Sequence, residues 1–184
     1  ALALAGVPPI AINNVDEPVR VAVLPEHHTG WVGRPGLSGS RSGRDWSPRF
    51  TTTSLRVDDV AVAASAEQPA LVTTATAVVE VTATDDLAGL GLTLEIELTA
   101  GGLLRSRAGL TNTGTDDYQL DDLLLAYPVP PVASELLDFA GRWGKERFPQ
   151  RRALTVGAHV REGRKGRTGA DAATVLHAGT AGFG

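Results

Sequence analysis

The sequence has no cysteine and no methionine, nine aromatic residues, and two lysines against fifteen arginines in 184 positions. The missing cysteines exclude a disulfide framework, a thiol nucleophile and cysteine-ligated zinc. They fit a reducing compartment, so a cytoplasmic location is expected. No apolar run approaches the roughly 18 residues that a membrane helix needs, so no membrane partner is expected. The formal charge of −4 carries no excess of either sign that would call for nucleic acid as the main partner. Also absent is an amphipathic helical pattern of useful length. There is no initiator methionine, and neither "ALALAG" at the start nor "TVLHAGTAGFG" at the end reads as a complete terminal element. The chain is expected to be a piece of a longer one at both ends.

What is present is period-two alternation. In Leu92-Thr93-Leu94-Glu95-Ile96-Glu97-Leu98 four aliphatic side chains share one face while Thr and Glu take the other, as a half-buried strand requires. Ala77, Val79, Val81 and Ala83 alternate in the same way with Val78, Glu80 and Thr82. Further strands are expected over 19–24, 52–63, 103–111, 118–127, 153–161 and 173–178. Turn signals separate them: "DD" at 58–59, "TDDLAG" at 84–89, "TAGG" at 99–102, "TNTGTDD" at 111–117 and "EGRKG" at 162–166. Many short strands at close spacing predict an all-β sandwich. The segment "ASELLDF" near 134–139 reads equally as a short helical turn or a strand. Prolines at 128, 130, 131 and 149 are expected at strand ends or crossovers.

One stretch fits neither periodicity. "GWVGRPGLSGSRSGRDWSPRF" (30–50) combines two tryptophans, four arginines and an aspartate with glycines at 30, 33, 36, 39 and 43. It reads as a long loop, and long loops in compact domains are often binding loops. Trp46 offers a face for stacking a sugar ring, and Asp45 can accept hydrogen bonds from vicinal hydroxyls. The opposing reading has Trp31 and Trp46 plugging the end of a sandwich while the arginines cap carboxylates. Other motifs carry less. "GLGLTL" at 89–94 lacks the third glycine of a dinucleotide loop. "GSRSG" around Ser40 lacks the strand and helix of a nucleophile elbow. His27, His28, His159 and His177 have no metal-ligand spacing, so neither metal nor cofactor is expected.

Residues 141–167 hold nine Arg/Lys against two Glu, interleaved with Trp143 and Phe148. A nucleic-acid interface would look similar. The acidic remainder of the chain and the mixed "KER" pattern favour arginines that bridge to a neighbouring domain or subunit instead.

Four segments carry a resemblance: "RPGLSGSRSGRDWSPRF" (34–50), "LLRSRAGLTNTGTDDYQLDDLLLAYPVP" (103–130), "LLDFAGRWGKERFPQRR" (136–152) and "GRKGRTG" (163–169). From about residue 30 onward the chain resembles the N-terminal region of glycoside hydrolase family 36, the bacterial α-galactosidases, in an Arg-rich version typical of high-GC genomes. The resemblance implies an antiparallel β-supersandwich of the galactose-mutarotase type with little or no helix, spanning 1–184 as a single, incomplete domain. It implies that the parent is a retaining enzyme acting on terminal α-galactosides. The two catalytic aspartates would lie on a (β/α)8 barrel that this chain does not contain, so the chain holds no catalytic residue. It also implies a homo-oligomer, a tetramer among the possibilities, in which a loop reaches a galactose site. Asp45 and Trp46 in "GRDWSP" match that loop best, followed by Arg44 and Arg56. Two departures stand out: Ser40 where the family often has His, and Gly169-Ala170 after Arg167-Thr168 where it often has Ser-His. The alternative is a stand-alone carbohydrate-binding or interaction module.

Overall fold

The computed structural model describes residues 22–64, 70–161 and 172–183. Regular structure among them is all β and antiparallel, apart from one 3-10 turn at His27–Thr29. Packing separates two units, Ala1–Tyr127 and Pro128–Gly184, with the boundary in the proline-rich 128–131 segment. Among the described residues no helix is long and apolar enough to cross a membrane.

The first unit contains a five-stranded sheet and a two-stranded one. Strands β2 (Thr51–Val57), β3 (Val60–Ala61), β4 (Ala77–Asp85), β5 (Leu90–Leu98) and β6 (Leu104–Asn112) form the larger sheet in the order β3-β2-β4-β5-β6. Strand β1 (Leu37–Ser40) pairs with β7 (Gln119–Leu123) in the smaller. The alternation seen in the sequence sets the register. Val81 faces Leu94 and Ala83 faces Leu92, so one face of β4 and β5 is continuously apolar. Leu90, Leu92 and Leu94 are buried there with Val81, Ala83 and Phe50, and Leu37 of β1 closes over them. Truncating one such leucine to alanine costs about 2–5 kcal/mol, because the cavity adds to the lost transfer energy.

The opposite face of this sheet is polar. Arg56, Glu80, Glu95 and Arg107 stand in one row across β2, β4, β5 and β6. In the next row Arg105 pairs with Glu97 at 2.6 Å. Solvent screens exposed pairs of this kind, so they add little to stability.

The second unit is a three-stranded sheet of β8 (Glu135–Arg142), β9 (Lys145–Ala153) and β10 (Ala172–Gly179), ordered β10-β8-β9. Its interior holds Asp138, 1% exposed. Both carboxylate oxygens of Asp138 are taken: Arg161 Nε (2.5 Å) and His159 Nε2 (2.6 Å) meet Oδ2, and Arg161 Nη2 donates to Oδ1 at 3.0 Å. The Arg161 hydrogen bonds hold the Asp138 carboxyl down at about 2, against burial and with help from His159.

Several expectations change. Residues 22–24 are not in a strand; the rest of 19–24 and the turn at 162–166 lie outside the described residues. The 30–50 stretch does contain a strand, β1, and its glycine is required by packing. A Cβ on Gly39 would meet the Gln119 carbonyl oxygen at 2.4 Å. "ASELLDF" is a strand, since Leu136 and Asp138 point inward two residues apart. The strand expected at 153–161 lies earlier, as β9, while 154–161 is irregular. Almost every side chain of β9 is exposed, so no alternation marks it; hairpin pairing to β8 fixes it instead. Pro149 falls inside this strand, opposite Phe139. An edge strand tolerates that because one of its sides makes no ladder bonds.

Candidate functional site

The chain beyond β1 turns back on itself at once. Arg41 and Arg44 exchange both backbone hydrogen bonds (2.8 and 3.0 Å) around Ser42 and Gly43. Ser42 and Gly43 have φ of 52° and 79°, as a two-residue hairpin turn of the primed type requires. Gly43 N–H also donates to Ser40 Oγ at 3.2 Å. The tight turn directs Arg41 inward and leaves Arg44 exposed.

Arg41 is the anchor of this end of the unit, and it is buried. Its guanidinium donates to the carbonyl oxygens of Asp116 and Ala88 and to Asn112 Oδ1, the last two at 3.0 and 2.9 Å. Its Nε lies 3.4 Å from Asp45 Oδ2, and its plane sits over the Tyr118 ring at 5.7 Å. The β4–β5 turn, the end of β6 and the loop after it therefore converge on one side chain. Gly114 is required there, because a Cβ would meet Arg41 Nη2 at 2.8 Å.

Asp45 follows at φ 54°, in the left-handed region that Asp tolerates better than most residues. Tyr118 OH donates to its carbonyl oxygen at 3.3 Å. Burial raises the Tyr118 hydroxyl above its ordinary value, with Asp45 adding to the effect, so the phenol remains a donor. Trp46 is 60% exposed and meets His27 edge to face, centroids 5.9 Å apart. A shallow depression opens beside it between Pro25, Pro35 and Pro48. The loop is then pinned at its exit: Asp85 Oδ2 accepts the Arg49 N–H at 2.6 Å and Glu26 Oε1 accepts the Phe50 N–H at 3.0 Å. Burial pushes the Glu26 carboxyl up, opposed by the Phe50 amide and His28.

The structure thus brings Arg44, Asp45 and Trp46 together on a loop held at both ends. It does not bring Arg56 to them. Arg56 lies five residues along β2 from Thr51, about 17 Å at strand rise, and its guanidinium donates to the Asp59 carbonyl oxygen at the β2–β3 turn. The sequence reading did not single out Arg41, Glu26 or Tyr118. The partners that make them anchors, Asp116 for Arg41, Phe50 for Glu26 and Asp45 for Tyr118, lie 24 to 75 residues away in the chain, which no local pattern reveals.

Chemically the loop offers an aromatic face, a carboxylate acceptor and a guanidinium donor side by side, the combination that holds a polyhydroxylated ring. Among the described residues no group of three or more His, Asp or Glu could hold a metal ion.

Residues 5–184 match the family model described as the glycosyl hydrolase family 36 N-terminal domain. The chain is 33% identical over 175 residues to an α-galactosidase from Escherichia coli, covering 95% of this chain and 22% of that protein. In fold it is similar to the family 36 α-galactosidase AgaA from Geobacillus stearothermophilus, with a TM-score of 0.67, 18% identity and coverage of 84% of this chain and 22% of that one. A variant of AgaA crystallised with stachyose is similar at a TM-score of 0.66 and 18% identity, over 82% of this chain and 22% of that one. The chain therefore spans about a fifth of the length of the relatives it matches. It belongs to the N-terminal domain family of glycoside hydrolase family 36.

Proposed function

We propose that the chain is the N-terminal domain of a retaining α-galactosidase that hydrolyses terminal α-galactosides of the melibiose and raffinose type. In this reading the loop 44–46 lines the sugar site. The observation that carries it is the exposed Trp46 face beside Asp45, on a loop fixed by Arg41 at its entry and by Glu26 and Asp85 at its exit. A solvent-facing Trp46 beside a part-exposed Asp45 fits binding better than packing, because an indole plugging the end of a sandwich would be buried. The names of the relatives support the substrate class: they are α-galactosidases, and variants of AgaA are described with raffinose and stachyose.

The nucleophile and the acid/base lie outside these 184 residues, so the isolated chain is inert. Retention would follow from two carboxyl groups about 5–5.5 Å apart, close enough for one to attack the anomeric carbon directly. In an oligomer the loop serves a neighbouring protomer's site as readily as its own. The test is hydrolysis of melibiose and raffinose by the full-length enzyme, with the anomer released first identified by NMR. Release of α-galactose first is expected, with no turnover by residues 1–184 alone. Release of the β-anomer, or no hydrolysis of either sugar, contradicts the reading.

A further inference from the structure

The exit of the 44–50 loop is held by a residue whose side chain faces away from solvent. Glu26 is 7% exposed and uses two sets of atoms at once. Its carboxylate accepts the Phe50 N–H at 3.0 Å, exactly where the loop enters the core strand region. Its carbonyl oxygen accepts the backbone N–H and the hydroxyl of Thr29, at 3.2 and 2.7 Å, which closes the 3-10 turn His27–Thr29. That turn presents His27 to the edge of Trp46. One residue therefore acts twice: its carboxylate fixes where the loop ends, and its backbone carbonyl closes the turn that the exposed indole leans on.

We propose that the Glu26 side chain is a positioning group for sugar binding, setting through the Phe50 amide at the loop exit the direction in which Asp45 and Trp46 face. This rests on the reading that loop 44–46 lines the galactoside site. A group that aims a binding loop contributes to holding the sugar and not to breaking the bond, because the reacting atoms lie elsewhere. Its loss therefore appears in KM and spares kcat. What the geometry demands of Glu26 is an acceptor at the end of a three-carbon reach, which glutamine also provides.

The experiment uses the full-length enzyme and a chromogenic α-galactoside. Glu26→Ala, Glu26→Gln and Asp45→Ala are compared with Asp138→Asn, a destabilising control in the other unit, by kcat, KM, melting temperature and oligomer mass. Glu26→Ala is expected to raise KM about tenfold with kcat within about twofold, while Glu26→Gln stays within about twofold of wild type in both. If Glu26→Ala does not accumulate as folded enzyme, Glu26→Asp takes its place. Its carboxylate falls one methylene short of the Phe50 amide, and the same split is expected. If Glu26→Ala and Asp138→Asn both lower the melting temperature while KM is unchanged, and Asp45→Ala raises KM, Glu26 only packs and the proposal is overturned. If Asp45→Ala also leaves KM unchanged, the loop reading itself fails and takes the proposal with it.

Discussion

Arg41 shows how much one buried side chain can organise. Removing it takes the guanidinium donor from the Ala88 carbonyl oxygen and the charge partner from Asp45, and leaves the Asp116 carbonyl oxygen and Asn112 Oδ1 with only Asn112 Nδ2 and the Gly114 N–H as donors. Arg41→Ala should therefore destabilise the domain by about 3–5 kcal/mol, as loss of one partner of a buried ionic network does. Arg41→Lys keeps the charge but lacks the planar fork, and most of the loss should remain. Equilibrium urea unfolding of each variant checks both. Asp138 makes the pH-dependent counterpart. Its carboxyl is held down at about 2 by Arg161, burial opposing and His159 assisting. A lowered acid adds stability that is present above its unfolded value near 3.8 and is lost as pH falls toward 2. The melting temperature of the wild type should thus drop through that window. Asp138→Asn should start lower and lose less across it. Parallel acid limbs for the two proteins would contradict the assignment.

At the scale of elements, legibility in the sequence follows burial on one side. Strands β4 and β5 are half-buried, so Val81, Ala83, Leu92 and Leu94 alternate with polar residues and announce themselves. The "DD" at 58–59 marks the β2–β3 turn, where Asp58 and Asp59 both take positive φ. Strand β9 is invisible to the same logic because both its faces are exposed. Strand β1 hides among glycines, of which Gly39 is required by the close approach of Gln119 and Tyr118. The site divides in the same way. Arg44, Asp45 and Trp46 are neighbours in the chain, so their clustering could be read directly. Arg41 and Glu26 act through contacts made only on folding, and Arg56 belongs to a turn on β2. A prediction belongs to this scale: Gly39→Ala should separate β1 from β7 and destabilise by about 1–3 kcal/mol, the usual cost of overpacking. An unchanged unfolding midpoint would show that β1 has room to shift.

At the scale of the molecule, charge is segregated. The nine basic residues of 141–167 lie in the second unit, while most of the acidic residues lie in the first. Trp143 at the β8–β9 turn is 93% exposed and Phe148 is 63% exposed, so the basic hairpin also carries aromatics. Among the described residues Arg151 is not free to extend a cationic face: it is committed to Glu135 at 2.8 Å and stacks over Phe183. A random oligonucleotide should accordingly show no salt-sensitive retention by the protein; a steep loss of binding with added salt would instead reveal a phosphate-tracking surface. In the first unit, Asp45 beside the exposed Trp46 is proposed to hold the sugar. The measurement that tests it most directly is hydrolysis of a chromogenic α-galactoside by the full-length enzyme and by Asp45→Ala, with the mass of the assembly recorded for both. A fall in kcat/KM of about two orders of magnitude at unchanged mass, the scale of a lost charged hydrogen bond to the sugar, is the predicted result. Equal kcat/KM for the two proteins would contradict it and return the loop to a purely structural role.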